Sequence, residues 1–126
     1  MMMIHQDERI RVMEDCLFCK IARGEIPGQK VYEDERVLAF RDISPQAPTH
    51  VLIIPKTHIS GLDGLDGAEN EVLAALLRAA NTVARMEGVD QSGYRLVSNM
   101  GPDACQSVKH LHFHVLGGRQ LDGLMG

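Results

Sequence analysis

The sequence predicts an α+β domain: an antiparallel sheet of about five strands with one long helix and one short one. Three observations carry this. From His110 to Val115, polar and apolar residues alternate strictly as HLHFHV, the two-residue period of a strand. Between Glu69 and Glu87, Val72, Leu73, Leu76, Ala80 and Val83 recur at helical spacing and form one apolar stripe. The remaining apolar runs are mostly joined by segments too short for parallel crossovers, so neighbouring strands should run antiparallel.

A chain of 126 residues makes one domain by size. We expect it over residues 15–126, behind a loose arm at residues 1–14 that lacks a sustained apolar period. A hydrophobic content of 44% is that of an ordinary globular protein. The formal charge of −4 argues against a grip on nucleic acid polymers, which needs clustered Lys and Arg, but leaves room for one small phosphate ligand. No run approaches a membrane span, so no membrane partner is expected. The opening MMMIHQDERIRVMEDC is charged throughout, unlike an export signal, and the three cysteines then read as thiols of a cytoplasmic protein.

Taken in order, Asp15 can cap a short helix, DCLFCKIARG, that Gly24 and Pro27 bring to an end. Phe18 and Ile21 share its inner face. Val31-Tyr32 and Val37–Phe40 read as a hairpin turning at Glu33-Asp34-Glu35. Two prolines make DISPQAPTH an extended loop, and His50–Pro55 follows as a buried strand. Gly61 to Gly67 reads as a flexible loop. The long helix begins with acids in its first turn and ends at Gly88. Gly93–Ser98 is the next strand, and Asn99–Cys105, rich in turn formers, delivers the chain to the histidines.

The alternation places His110, His112 and His114 on one face and Leu111, Phe113 and Val115 on the other. Three imidazolium ions so close would repel, so at least one ring should be neutral near pH 7, as a nucleophile or a metal ligand must be. A carboxylate such as Asp42 can accept two hydrogen bonds from a vicinal diol, although Asp at a strand end also serves as a turn former. Cys16-x-x-Cys19, with two imidazoles from elsewhere, can supply a tetrahedral Cys2His2 zinc site, for which His58 and His110 are the expected partners. The same spacing also occurs in redox pairs and among buried thiols.

With Gln106-Ser107 before it and Gly117-Gly118-Arg119 after it, the His-x-His-x-His stretch resembles the signature of the histidine-triad (HIT) nucleotide hydrolases and transferases. It is most similar to the Hint branch, and the resemblance spans about Cys16 to Arg119. It implies the HIT fold and a nucleotide site. Phe18, Ile21 and Phe40 would wall the base, Asp42 would hold the ribose hydroxyls, and Ile43 would pack on the nucleoside. Middle histidine His112 would be the nucleophile, forming a nucleotidyl-histidine. His114 would hold a phosphate oxygen, His110 would complete the triad, and His50 would support it from the neighbouring strand. Ser107 and the backbone of Cys105 and Gln106 would face the phosphate and the departing group, with the Asn99 amide nearby.

The resemblance further implies a purine nucleoside phosphoramidate hydrolase acting on AMP or GMP derivatives such as AMP-amide or aminoacyl-AMP. The long helix and the Gly93–Ser98 strand, which one small sheet leaves with an edge to cover, predict a homodimer, and this matches the Hint arrangement. Catalysis is expected to need no cofactor, and the cysteine pair leaves room for a structural zinc. Two alternatives stand beside it: a dinucleoside polyphosphate hydrolase, whose branch has a proline soon after the triad that is absent here, and a nucleotide-binding scaffold with incidental turnover. The chain ends QLDGLMG where many Hint proteins have Trp-Pro-Pro-Gly, which bears on the leaving group.

Overall fold

A computed structural model describes residues 12–125; most of the arm expected over residues 1–14 lies outside the described residues. Five strands form one sheet: β1 (Lys30–Glu33), β2 (Val37–Arg41), β3 (Thr49–Pro55), β4 (Tyr94–Val97) and β5 (Phe113–Gly117). Their order is β1-β2-β3-β5-β4, and every neighbouring pair is antiparallel. The fold is the α+β arrangement that the periodicities predict. Asp34 builds the β1–β2 turn: its carboxylate accepts the N–H groups of Arg36 and Val37 at 2.8 and 2.9 Å.

Alternation along the strands sorts the apolar residues onto two faces. On one, Val37, Ala39, Val51, Ile53, Leu111 and Val115 pack against the stripe of α2 (Asn70–Met86), formed by Val72, Leu76, Ala79, Ala80 and Val83. Arg41 clamps the C-terminal cap of α2 through paired bonds to Glu87 of 2.7 and 2.9 Å. On the other face, Leu38, Phe40, Leu52 and Ile54 meet Phe18 of α1 (Leu17–Ala22). A helix of six residues is not stable alone, so packing of this kind must hold α1 in place.

Three expectations are corrected. The cap of α1 is Cys16 rather than Asp15, and its sulfur accepts the Cys19 N–H at 3.4 Å. The segment read as a flexible loop over Gly61–Gly67 contains a 3-10 helix, Leu62–Gly67. Leu62 and Leu65, one 3-10 turn apart, both pack on the core beneath α2. Finally, the histidine strand is shorter than the alternation suggests. β5 begins at Phe113, and the ladder gives way earlier because Leu111 N–H bonds to Ile59 O at 2.6 Å and His110 N–H to Val108 O at 2.9 Å. The alternation of faces survives: Leu111 and Val115 are buried under α2, while the histidines lie on the other side.

Candidate active site and metal centre

The α1 side of the sheet carries a cavity of about 470 Å³. Phe18, Ile21, Phe40, Asp42, Ile43 and Ser107, all named from the sequence, line it. Leu52 and Val108 complete its apolar wall, and nothing in the local sequence marked them. The pairing of Leu52 with His114 across β3 and β5 could have marked the first, since cross-strand partners share a face. Gly28 also faces the cavity: a Cβ there would lie 3.3 Å from Ile21 Cγ2, so a larger residue would narrow the opening. Ile43 lines the cavity and is 98% exposed.

His112 is buried, with its ring edge-on to Phe18 at 5.0 Å between centroids. Its Nδ1 lies 2.7 Å from His110 O. A carbonyl can only accept, so Nδ1 carries the proton and the lone pair of the neutral ring sits on Nε2. Among the described residues nothing bonds to that nitrogen. Ser98 Oγ donates to His112 O at 2.8 Å and holds the backbone in place.

The same reasoning fixes two more rings. Gln46 N–H donates to His50 Nδ1 at 3.0 Å, so the His50 proton sits on Nε2. That Nε2–H faces His114 Nδ1 at 2.9 Å, which must accept, leaving the His114 proton on its own Nε2. Burial, reinforced by the neighbouring His112 and His50, lowers the His114 pKa to about 4. Burial also lowers the His50 pKa, against the pull of Asp42. Both rings are therefore neutral near pH 7. The His112 and His114 rings are 5.2 Å apart, one bearing a free lone pair and the other a free N–H.

Asp42 Oδ1 accepts the Ser44 N–H at 2.8 Å, and Oδ2 stands 3.5 Å from His50 Nε2, with lone pairs left for a ligand. Asp42, His50 and His114 thus bring three ligand-type atoms within 4.8 Å, but they do not fit a metal. Gln46 holds His50 in the tautomer whose Nε2, the atom that would have to bind, already bears a proton.

The loop expected to face a phosphate commits its backbone donors elsewhere. Cys105, at a φ of +62°, spends its N–H on Pro102 O at 3.0 Å, and Gln106 N–H goes to Gly101 O at 3.0 Å. Neither backbone donor is free for a phosphate. The Gln106 side chain braces the loop instead, donating to Ser60 O and Val108 O and accepting the Gly101 N–H. Ser107 remains exposed at the cavity, and half-buried Asn99 makes no side-chain hydrogen bond among the described residues.

The second cluster is Cys16, Cys19, His58 and His110, whose ligand atoms all lie within 4.8 Å of one another. Cys16 Sγ is 3.2 Å and Cys19 Sγ 3.5 Å from His110 Nδ1, and Cys19 Sγ is 3.4 Å from His58 Nδ1. A tetrahedral zinc with Zn–S near 2.3 Å and Zn–N near 2.0 Å has S···N edges of roughly 3.5 Å, so the four residues fit the ion. His110 is also oriented as a ligand should be, since its Nε2–H donates to Pro55 O at 2.9 Å and leaves Nδ1 facing the sulfurs. Burial lowers the His110 pKa to about 4 and raises the Cys19 thiol to about 11.

The chain as a whole has counterparts among known proteins. The family model described as the HIT domain matches residues 23–121. The chain belongs to the histidine-triad family. Among histidine-triad relatives, it is similar to the "14 kDa zinc-binding protein" of Zea mays, with 53% identity over 93% of this chain and 94% of that one. It is 44% identical to the "purine nucleoside phosphoramidase" of Escherichia coli K12, over 89% of this chain and 94% of that protein. A solved HIT family hydrolase from Clostridium thermocellum superposes with a TM-score of 0.87 at 46% identity, covering 90% of this chain and 99% of that one. The histidine-triad protein described here is thus a nucleotide hydrolase by family. No helix among its described residues is long and apolar enough to cross a membrane.

Proposed function

We propose that this protein hydrolyses purine nucleoside phosphoramidates, AMP-amide or aminoacyl-AMP-like, through a covalent nucleotidyl-histidine at His112. The observation that carries the reading is the His112 Nδ1–H bond to His110 O, which puts the lone pair of the neutral ring on Nε2, with the ring 5.0 Å from Phe18 of the cavity wall. The likeness to a relative named purine nucleoside phosphoramidase supports the substrate class. In this scheme the base enters between Phe18, Ile21 and Phe40, Asp42 accepts from the ribose hydroxyls, and Ile43 closes over the nucleoside. His112 Nε2 attacks the α-phosphorus, an N–P bond forms, and the P–N bond to the amine breaks as the amine leaves with a proton taken from solvent, which the later attack of water returns. Ser107 faces that departing group. Water then cleaves the nucleotidyl-histidine and returns AMP and the free ring. His114 Nε2–H bonds to an equatorial oxygen throughout, where negative charge builds up. No cofactor enters these steps.

Cys16, Cys19, His58 and His110 would hold zinc as a closed, structural site that ties α1 to the catalytic segment and leaves His112 free. The relative named as zinc-binding supports this. The chain would work in the cytoplasm as a homodimer. β4 presents an open edge, and Tyr94 on it and Leu77 and Met86 of α2 are exposed apolar side chains left to cover. Sedimentation at micromolar concentration showing only a species of 13.9 kDa would remove the dimer. Steady-state rates on AMP phosphoramidate and on diadenosine polyphosphate, measured side by side, test the reaction. Preference for the phosphoramidate is expected, and preference for the polyphosphate would overturn it in favour of dinucleoside polyphosphate hydrolysis. Turnover of neither would leave a nucleotide-binding scaffold.

A further inference from the structure

β5 ends at Gly117 and is followed by Gly118 and Arg119. Gly118 sits at a φ of +91°, and a Cβ there would come within 2.9 Å of Pro48 Cβ. Only glycine can turn the chain this tightly against the β2–β3 loop. The turn sends Arg119 back over that loop, where Nη2–H donates to Gln46 O at 3.0 Å. Among the described residues no other donor meets that carbonyl. Gln46 lies between two prolines, outside any ladder, and its own N–H is the donor that fixes the tautomer of His50. A continuous path therefore runs from Arg119 to Gln46, from Gln46 to His50, and from His50 to His114.

We propose that Arg119 is a positioning residue of the hydrolysis, an inference that rests on the reaction proposed above. By holding Gln46 O it keeps the Gln46 N–H on His50 Nδ1, and so keeps the proton of His114 on Nε2, where a phosphoryl oxygen needs a donor. Without the tie, His50 Nδ1 loses its donor and the ring can move its proton there. Its Nε2 would then turn a lone pair toward His114 Nδ1. His114 would have to place its proton on Nδ1 and offer a lone pair to an anionic oxygen, which repels. Arg119 never touches the substrate in this scheme. Its loss should slow the chemical step and spare nucleotide binding, because Arg119 is not among the residues that line the cavity.

The test compares full-length wild type, Arg119→Ala and Arg119→Lys by two readouts. Ring nitrogen shifts of His50 and His114, from long-range proton–nitrogen correlation, report the tautomers directly. Wild type should show protonated Nε2 and unprotonated Nδ1 in both rings. Arg119→Ala should show averaged signals, with kcat for AMP phosphoramidate down about tenfold, the scale of one charge-assisted hydrogen bond, and KM nearly unchanged. Arg119→Lys, which keeps a donor for Gln46 O, should restore most of both. Wild-type ring signals in Arg119→Ala would overturn the proposal, as would a loss confined to KM. Absence of turnover in wild type would instead sink the reaction while the ring signals still decide the tie.

Discussion

Two histidine clusters stand on either side of His112, and they use the same side chain in opposite ways. In the first, His110 gives its Nε2–H to Pro55 O and turns a lone pair on Nδ1 toward two sulfurs. In the second, His114 accepts a hydrogen bond from His50 Nε2–H on Nδ1 and turns an N–H outward. Burial depresses the pKa of both to about 4, so charge does not distinguish them. The partner of the second ring nitrogen does. A carbonyl behind the ring makes a metal ligand or a nucleophile, and an N–H behind it makes a donor. His112, with His110 O behind its Nδ1, falls in the first class.

The sharpest way to break this contrast is to remove the lone pair at its centre. His112→Asn should still bind AMP, yet lose hydrolysis by about a thousandfold or more, as expected when a nucleophile is deleted. Intact-mass analysis of a quenched reaction should find no AMP adduct on the variant. An unaltered rate would show that the free nitrogen of His112 is not the attacking atom.

Next in size is the thiol side. Cys16→Ser with Cys19→Ser should abolish zinc retention, measured by elemental analysis of protein purified without chelators or a metal-affinity tag. The melting temperature of the zinc-supplemented protein should fall by about 10 °C, equivalent to roughly 3 kcal/mol for a domain of this size. Less than about one-tenth zinc per chain in wild type after supplementation would leave the pair no role beyond packing.

The relay side should respond to protons instead. The folded-state pKa of His114 is about 4 against an ordinary 6.5, so the unfolded chain binds the proton first as pH falls. Stability should be unaffected by this group above about pH 6.5 and decline between 6.5 and 4, by roughly 3 kcal/mol in all. Denaturant titrations of wild type and His114→Gln across that range check the sign: the variant should lose part of the slope. A wild type that grows more stable on acidification through this window would contradict the buried, neutral ring.

The smallest expected effect lies at the edge of the relay. Asp42→Ala should weaken binding of a ribonucleotide by about tenfold, one charge-assisted hydrogen bond, and its deoxy counterpart much less. Isothermal titration with the AMP and dAMP pair reads both. Equal losses would take Asp42 out of ribose recognition and leave it only its turn with Ser44.

Much of this was legible in the sequence because it is local. The stripe of α2 and the alternation through Val115 follow from periodicity, and the Asp34 turn from the usual behaviour of Asx residues. The four thiol and imidazole residues were found by counting ligand types, although only the fold brings His58 and His110 to the cysteines. What stayed hidden is what depends on contacts distant in sequence. Leu52 and Val108 form part of the cavity wall because β3 pairs with β5 and the loop after Gln106 folds onto the same face. Cys105 and Gln106 looked like phosphate donors until their N–H groups were seen committed to Pro102 and Gly101. The Leu62–Gly67 segment looked loose because its glycines conceal two leucines one 3-10 turn apart. The tie from Arg119 to Gln46 has no sequence signal at all.

The place of β5 in the sheet also governs how the molecule comes into being. β1, β2 and β3 form a meander of neighbours in sequence, whereas Ile53 must find Phe113 across more than half of the described chain. Closing so large a loop costs chain entropy before any contact offsets it, which makes this pairing the high-contact-order step of the fold. Both histidine clusters straddle that junction. One joins residues near Cys16 to His110, and the other joins Asp42 and His50 to His114. A chain still emerging or only partly folded therefore has neither centre, and each exists only after the last long-range strand has docked.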